Sequence, residues 1–486
     1  MTDAAQVPMS TKLFYSLGAS GESIKNAAFG FLLIYYNQVL GLSGTMAGYA
    51  LAIALIFDAV IDPGIGSWSD GMKTRWGRRH PLMAVAILPF CLLVFGLFWP
   101  PLGLGQIALF LWLTVFTVGT RAAMALFHVP YLSLGAELTQ QYRERTQIVS
   151  MRTGVALLSG TAITLVIWGV VFKTAPGATT GQLVRDNYFA LALMCAVAIG
   201  VFTILSTAGT VAAVPHLAGS NQAPRKFGLR RVYHDIFIAL RNPSFRALFI
   251  GTVIYFVYGG FQGQMAVHLQ TFFWKLTTQA IQFLVSAGLL GAVAGLFFVP
   301  WFNGRFDKKW TVVIGVLAAA VLSTGPVVLR LFDLMPTDLT MLQWTLGGLG
   351  FLNAFIGVQA TVSVGSMMGD IADEHELTEG SRQEGIFFGS YAFSQKCTTG
   401  LSTIVAGSAI DWIGLKAHAD PHSIAPGIIT NFGIAYSAVA LLLLLSTWVF
   451  LPYRLDRARH SEILEGLAMR KSGAEAAALR AAAAAD

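Results

Sequence analysis

The sequence predicts an all-α membrane protein with twelve transmembrane helices in two six-helix bundles. Three observations lead there. Of 486 residues, 55% are hydrophobic and only 12% are Asp, Glu, Lys or Arg, with a mean hydropathy of +0.63. Apolar runs of spanning length fall six, then a polar break, then six. The two halves echo each other at matching turns. A soluble protein carries about 25% charge to cover its surface, and a disordered one lacks the apolar residues seen here. The abundant glycine, 50 residues, suits helices that approach closely in lipid.

A spanning helix needs about 20 largely apolar residues. The first half supplies 15–41, 45–69, 81–101, 105–137, 149–173 and 188–214. The second supplies 246–273, 277–303, 309–333, 338–369, 385–413 and 426–451. The expected domains are therefore a bundle over 1–214, a linker over 215–245, a second bundle over 246–452 and a tail over 453–486. Apolar residues at helical spacing between Arg230 and Leu240 predict an amphipathic helix on the membrane face. The tail from Ser461 is Ala-rich and charged, and reads as a weak helix or as disorder.

Charge sets the orientation. Arg75, Arg78, Arg79, Arg143, Arg145, Arg230, Arg231, Arg305, Lys308 and Lys309 collect in one set of loops and the linker, whereas Lys173, Arg185, Lys275 and Lys416 stand opposite. Basic loops stay inside, so both termini are expected in the cytoplasm of a multi-pass inner-membrane protein. The net charge of +7 then reflects topology and not nucleic-acid binding. The polar start, Met1 to Lys12, does not read as a signal peptide. Cys91, Cys195 and Cys397 are scattered in apolar runs and form no metal or disulfide pattern.

The halves match at two cytoplasmic turns. Gly66 to Arg79 follows the second helix and Asn303 to Lys309 follows the eighth, each combining glycine, an acid and a basic cluster. Internal repeats of this kind mark alternating-access transporters, with solute held between the halves.

The informative residues are charges inside apolar spans, which cost at least about 2.5–3.5 kcal/mol each and persist when paired or facing water. Asp58 and Asp62 lie one turn apart on one face of the second helix, just before Pro63. They either tie helices together or share a proton or cation. Glu22 and Ser23 sit in an unusually polar stretch of the first helix with Gly21, Lys25 and Asn26. Arg121 and His128 lie seven residues apart on one face of the fourth helix. They read as packing residues or as a cavity wall; facing the cavity, Arg121 would favour an anionic group. Arg152 and Lys396 are basic residues in the fifth and eleventh helices, each a structural bridge or a gate. Tyr258 and Gln262 in the seventh helix suit a hydroxyl-rich ligand, or equally plain interhelical bonds. Asp370 and Asp373 open an acidic cluster after the tenth helix that reads as a gate or capping network and not as a metal site.

At this point the residues resemble a known family. Phe57-Asp58-Ala59-Val60-Ile61-Asp62-Pro63, continuing through Gly66, Asp70, Arg75-Trp76-Gly77-Arg78 and Pro81, resembles the signature of the glycoside–pentoside–hexuronide:cation symporters. These are the melibiose-permease relatives within the major facilitator superfamily. Pro130-Tyr131 through Glu137, Thr139 and Arg145-Thr146 is similar to a second family motif. Gly369-Asp370-Ile371-Ala372-Asp373, with Lys396 downstream, is similar to a third. The likeness runs from about residue 12 to 452.

The resemblance implies a major facilitator-type fold with inverted repeats and solute movement coupled to a cation. It implies that Asp58 and Asp62 form the cation site, and that Arg152 and Lys396 serve that site or the gate. The departures matter. Ile61 and Ala125 stand where sodium-coupled members carry Asn and Thr, so two oxygen ligands are missing and a proton is favoured over sodium. His128 replaces the fourth-helix Asp of sugar-binding members, Leu132 replaces a Trp, and Ser23 takes the first-helix Asp position beside Glu22. A galactoside grip is not reproduced, whereas glycuronides or other anions are compatible with His128 and Arg121.

The expected function is cation-coupled symport of a sugar, glycoside or glycuronide by alternating access. It uses no cofactor beyond the coupling ion, H+ or Na+. Asp58 and Asp62 carry coupling; Arg152, Lys396, Asp70, Arg78, Asp370 and Asp373 form charge pairs and gates; Glu22, Ser23, Arg121, His128, Tyr258 and Gln262 contact the solute. The expected partners are a small carbohydrate and the lipid bilayer, with the chain a monomer. Rival readings are an amphiphile transporter, for example of lysolipids, and a membrane sensor without transport. An enzyme would need a nucleophile–base pair or metal set at one depth, and the sequence offers none.

Overall fold

The computed structural model describes residues 7–72, 74–139, 141–172, 174, 180–216, 236–237, 239–380 and 384–483. Most of the expected linker, including the amphipathic stretch up to 235, lies outside these residues, as do Lys73, Lys173 and Arg382.

Among the described residues the chain is helical, and helices stand at each of the twelve expected positions. The first position is broken into α1 (Met9–Leu17), α2 (Ala19–Phe29) and α3 (Leu32–Ile34). Then come α4 (Gly44–Gly71), α5 (His80–Phe98), α6 (Gln106–Glu137), α7 (Tyr142–Val166) and α8 (Arg185–Thr210). The second half holds α9 (Pro243–His268), α10 (Thr278–Arg305), α11 (Lys308–Ala319), α12 (Gly325–Leu331), α13 (Leu339–Glu379), α14 (Glu384–Ile413) and α15 (Pro426–Phe450). A last helix, α16 (Arg457–Ala483), follows.

By length and composition, nine helical segments among the described residues are apolar enough to cross a membrane. Of the other three positions, the first is polar and broken, and α4 holds a shorter apolar segment, Gly44–Asp58, among the described residues. In α14, Lys396 and many Ser, Thr and Gly residues dilute the apolar content.

Two expectations shift. The acidic cluster from Asp370 is not a loop, since α13 runs on to Glu379 and ends at Gly380 in the left-handed conformation (φ 76). The tail is a helix from Arg457, with Ile463 1% and Leu467 7% exposed. Asp456 starts it, its carboxylate accepting from Arg459 N at 2.8 Å. Helical propensity in the tail was visible; two buried apolar residues one turn apart were masked by their charged neighbours.

The internal repeat extends into the backbone. The first position ends in a π-helical turn, Tyr35–Val39, and α9 ends in another, Leu269–Phe273. In the first, Leu40 N donates to Tyr35 O and Leu42 N to Tyr36 O. In the second, Trp274 N donates to Leu269 O and Leu276 N to Gln270 O. Gly41 (φ 84) and Lys275 (φ 54) occupy the same left-handed position in the two copies.

The chain divides into two compact units. Unit 1 comprises Met1–Phe227, Gly260–Phe283 and Thr399–Ala435. Its core includes Tyr15, Met83, Phe127, Tyr131 and Ile148, with the Tyr15 and Tyr131 rings stacked at 4.6 Å. Within this unit the start of α4 meets the end of α14. The Asp411 carboxylate accepts from Ser43 Oγ (2.8 Å), Gly44 N (2.9 Å) and Thr45 N (2.8 Å). A negative charge there satisfies the free amides and favours the helix dipole. The helices touch through glycine: a Cβ on Gly407 would fall 2.2 Å from Gly44 O. Unit 2 comprises Gly228–Gly259, Leu284–Thr398 and Tyr436–Asp486. Its core joins Phe245, Val316, Met367, Ile371, Leu443 and Ile463.

Candidate functional site

In unit 1, three helices bring intramembrane charges together. Ser43 caps α4, accepting from Met46 N, and the helix carries Asp58 fifteen residues in, with Asp62 one turn on. Helix α6 presents Arg121 and His128 two turns apart on one face. Helix α2 presents Glu22 and Phe29 in the same register. Arg121 Nη1 donates to Asp58 Oδ2 at 3.0 Å, and the two side chains are 14% and 12% exposed. His128 Nε2 lies 3.1 Å from Glu22 Oε2. This second pair is more open, at 20% and 37% exposed.

The Arg121 guanidinium also faces the Phe29 ring at 5.5 Å, and Lys25 Nζ faces the same ring at 5.1 Å. Asp62 and Glu22 act on Arg121 electrostatically as well. Lys25 is only 3% exposed. It was visible only as one polar residue among several, and its place beside Arg121 depends on a packing of α2 against α6 that spacing cannot show.

Arg152 of α7 faces the Tyr15 hydroxyl, half-buried beside the Tyr15–Tyr131 stack. A Cβ on Gly160 of the same helix would fall 3.5 Å from Ser23 Cβ, so Ser23 looks toward α7. Gln262 is half-buried in unit 1. Tyr258 and Lys396 belong to unit 2, where Tyr258 is 1% exposed with its hydroxyl 3.4 Å from Thr324 Oγ1.

The acids expected at the gates form two clusters of one design. In unit 1, Glu137 at the end of α6 accepts from Arg79 Nε (2.9 Å) and lies 2.8 Å from its Nη2 and 3.0 Å from Arg78 Nη2. Arg79 also reaches Asp70 at 2.6 Å. In unit 2, Asp370 of α13 accepts from Lys308 Nζ at 2.7 and 2.8 Å. His460 of α16 lies 3.4 Å from Asp370 and 3.2 Å from Asp373. Each half thus pairs a base at the start of its third helix with an acid in the last third of its fourth. Glu137 stood in a quoted motif and Lys308 among the loop bases, yet neither was singled out. Their significance is a contact, and His460 lies in a tail that carried no motif. Buried Tyr453, on the loop after α15, has its phenol pKa pushed up by burial and then by Asp370, Glu374 and Asp307.

Comparison with known proteins bears on both fold and family. A family model described as MFS/sugar transport protein matches residues 14–457. The isoprimeverose transporter of Lactiplantibacillus pentosus is 25% identical, over 90% of this chain and 88% of that protein. The sodium-dependent lysophosphatidylcholine symporter 1-A of Danio rerio is 25% identical, over 92% and 86%. Among solved structures, a mutant of the nucleoside transporter NupG superposes with a TM-score of 0.61 at 14% identity, covering 93% of this chain and all of that one. That likeness concerns the fold, which is of the major facilitator type. The chain is a multi-pass membrane transporter and not an enzyme, and it belongs to the MFS/sugar transport family, within the glycoside–pentoside–hexuronide:cation symporters.

Proposed function

We propose that this transporter moves a carbohydrate together with a proton by alternating access. The observation that carries the reading is the convergence in unit 1 of the Asp58–Arg121 ion pair and the Glu22–His128 contact. Charges at such positions are costly and persist for function. In this reading Asp58 and Asp62 take the coupling proton. Lys396 and Arg152 serve as charge partners of that site or of the gate, and the clusters around Asp70, Arg78, Asp370 and Asp373 hold the cytoplasmic gates. The more open pair, Glu22 and His128, contacts sugar hydroxyls together with Ser23 and Gln262, while Tyr258 is a buried packing residue of unit 2. Ile61 and Ala125, in place of oxygen donors, support the proton over sodium. The basic loops support a cytoplasmic position for both termini.

A second reading has one observation in its favour. Leu132 is 38% exposed where sugar-binding members of the family carry Trp, and the Danio rerio relative is named for lysophosphatidylcholine. One experiment addresses both. Purified protein in proteoliposomes is given an inward proton gradient and a panel of labelled glycosides, uronides and lysophosphatidylcholine. Sugar uptake driven by the gradient and lost in Asp58→Asn supports the proposal; uptake unchanged in that variant, or confined to the lysolipid, refutes it.

A further inference from the structure

We propose that Arg121 is handed from Asp58 to an acid group on the solute, so that the transported sugar bears a carboxylate and the incoming proton goes onto Asp58. The inference rests on the transport reading above and deepens it.

Three observations support it. Arg121 contacts Asp58 through Nη1 alone at 3.0 Å, although a guanidinium is a fork built to grip a carboxylate with two donors. Its Nε is buried and has no hydrogen-bond partner among the described residues. A buried donor left unmade is costly, so this side of the fork is primed for an acceptor. The neighbouring His128–Glu22 pair is open enough to meet sugar hydroxyls beside it.

The coupling follows from charge balance. A guanidinium does not lose its proton, so only its anion can change. In the empty carrier the Asp58 carboxylate neutralises Arg121. In the loaded carrier a proton sits on Asp58 and the solute carboxylate neutralises Arg121. One proton and one carboxylate enter, and net charge is conserved. A proton without the solute would strand the guanidinium; the solute without a proton would strand Asp58. Stranded buried charges are strongly disfavoured, so the half-loaded states are avoided. Asp62 and Glu22 act on Arg121 from α4 and α2, Lys25 shares the Phe29 ring with it, and His128 lies two turns along α6.

The test is calorimetric binding to the purified full-length protein of methyl β-D-glucuronide and its neutral counterpart, methyl β-D-glucoside, at two pH values one unit apart. The wild type should bind the glucuronide about tenfold tighter at the lower pH, taking up one proton, and bind the glucoside more weakly without that dependence. Asp58→Asn should keep the acid preference and lose the pH slope. Arg121→Gln should lose the acid preference. A wild type that binds the glucuronide equally at both pH values, prefers the glucoside or binds neither overturns the proposal, whether or not the variants fold. A wild type that shows the pH-linked acid preference but no counterflow in vesicles would sink the transport reading and leave the hand-over standing.

Discussion

Arg121 and Asp58, 63 positions apart, form a one-donor ion pair at 3.0 Å with both side chains largely buried. Removing one partner strands the other charge, which costs about 3 kcal/mol in such a setting, discounted for partial exposure. Arg121→Gln and Asp58→Asn should therefore each lower the thermal midpoint in detergent. The double variant should recover most of the loss, because neither charge is then left alone. Additive losses would show that the two groups do not depend on each other.

The two acids around Arg79 should differ sharply in weight. Glu137 is 9% exposed and holds both Arg78 and Arg79, whereas Asp70 is 40% exposed and holds Arg79 alone. Glu137→Gln takes its anion from Arg78 and leaves Arg79 with only the exposed Asp70, and should cost about 3 kcal/mol. Asp70→Asn should cost about 0.5 kcal/mol, as for a solvated pair. Equal losses in detergent melting would mean that burial does not set the hierarchy in this cluster.

The glycine contact between α4 and α14 joins the first half of the sequence to the second within unit 1. A Cβ on Gly407 would fall 2.2 Å from Gly44 O, and one on Gly48 would fall 2.5 Å from Thr403 O, both backbone atoms that cannot swing aside. Gly407→Ala should therefore push the helices apart and cost about 1–3 kcal/mol, read as a lower thermal midpoint in detergent. An unchanged midpoint would show that the two helices do not need the close glycine approach.

What the sequence made legible follows from range. Helix positions are local, since apolar runs report them, and every expected span received a helix. Asp58 and Arg121 were both visible as charges out of place, because the bilayer penalty is also local. Their partnership was not, because it depends on how α4 and α6 pack. Asp411 shows the limit most clearly. One acid near a helix end looks like an interface residue, and only the approach of Gly44 to Gly407 turns it into a cap on another helix. The repeat was legible at the two loops by composition, whereas the paired π-turns carry no shared motif beyond their position.

Tyr453 offers a test in the opposite direction. Its hydroxyl is buried without a partner among the described residues. Tyr453→Phe removes an unsatisfied group and should leave stability unchanged or raise it by about 1 kcal/mol. The sign with pH follows from the raised phenol pKa. The folded state resists ionisation, so stability is fully present below about pH 10, the unfolded value, and falls as pH rises above it. Tyr453→Phe should flatten that alkaline fall, measured by melting across the range.

The last helix is the element that composition undersold most. Ile463 and Leu467 are buried in the unit 2 core, and a Cβ on Gly466 would meet Leu377 of α13 at 3.1 Å. Arg457 donates to Asn303 O at 2.7 Å, and His460 reaches Asp370 and Asp373. The helix therefore clasps Asp370, the acid that holds Lys308. Ile463→Ala opens a cavity in a packed site and should cost about 2–4 kcal/mol. If α16 belongs to the gate, Ile463→Ala should also speed exchange at the α13 end, read by hydrogen–deuterium exchange over residues 368–380, while leaving α2 and α6 unchanged. Protection lost evenly across both units would mean that the helix only adds general stability.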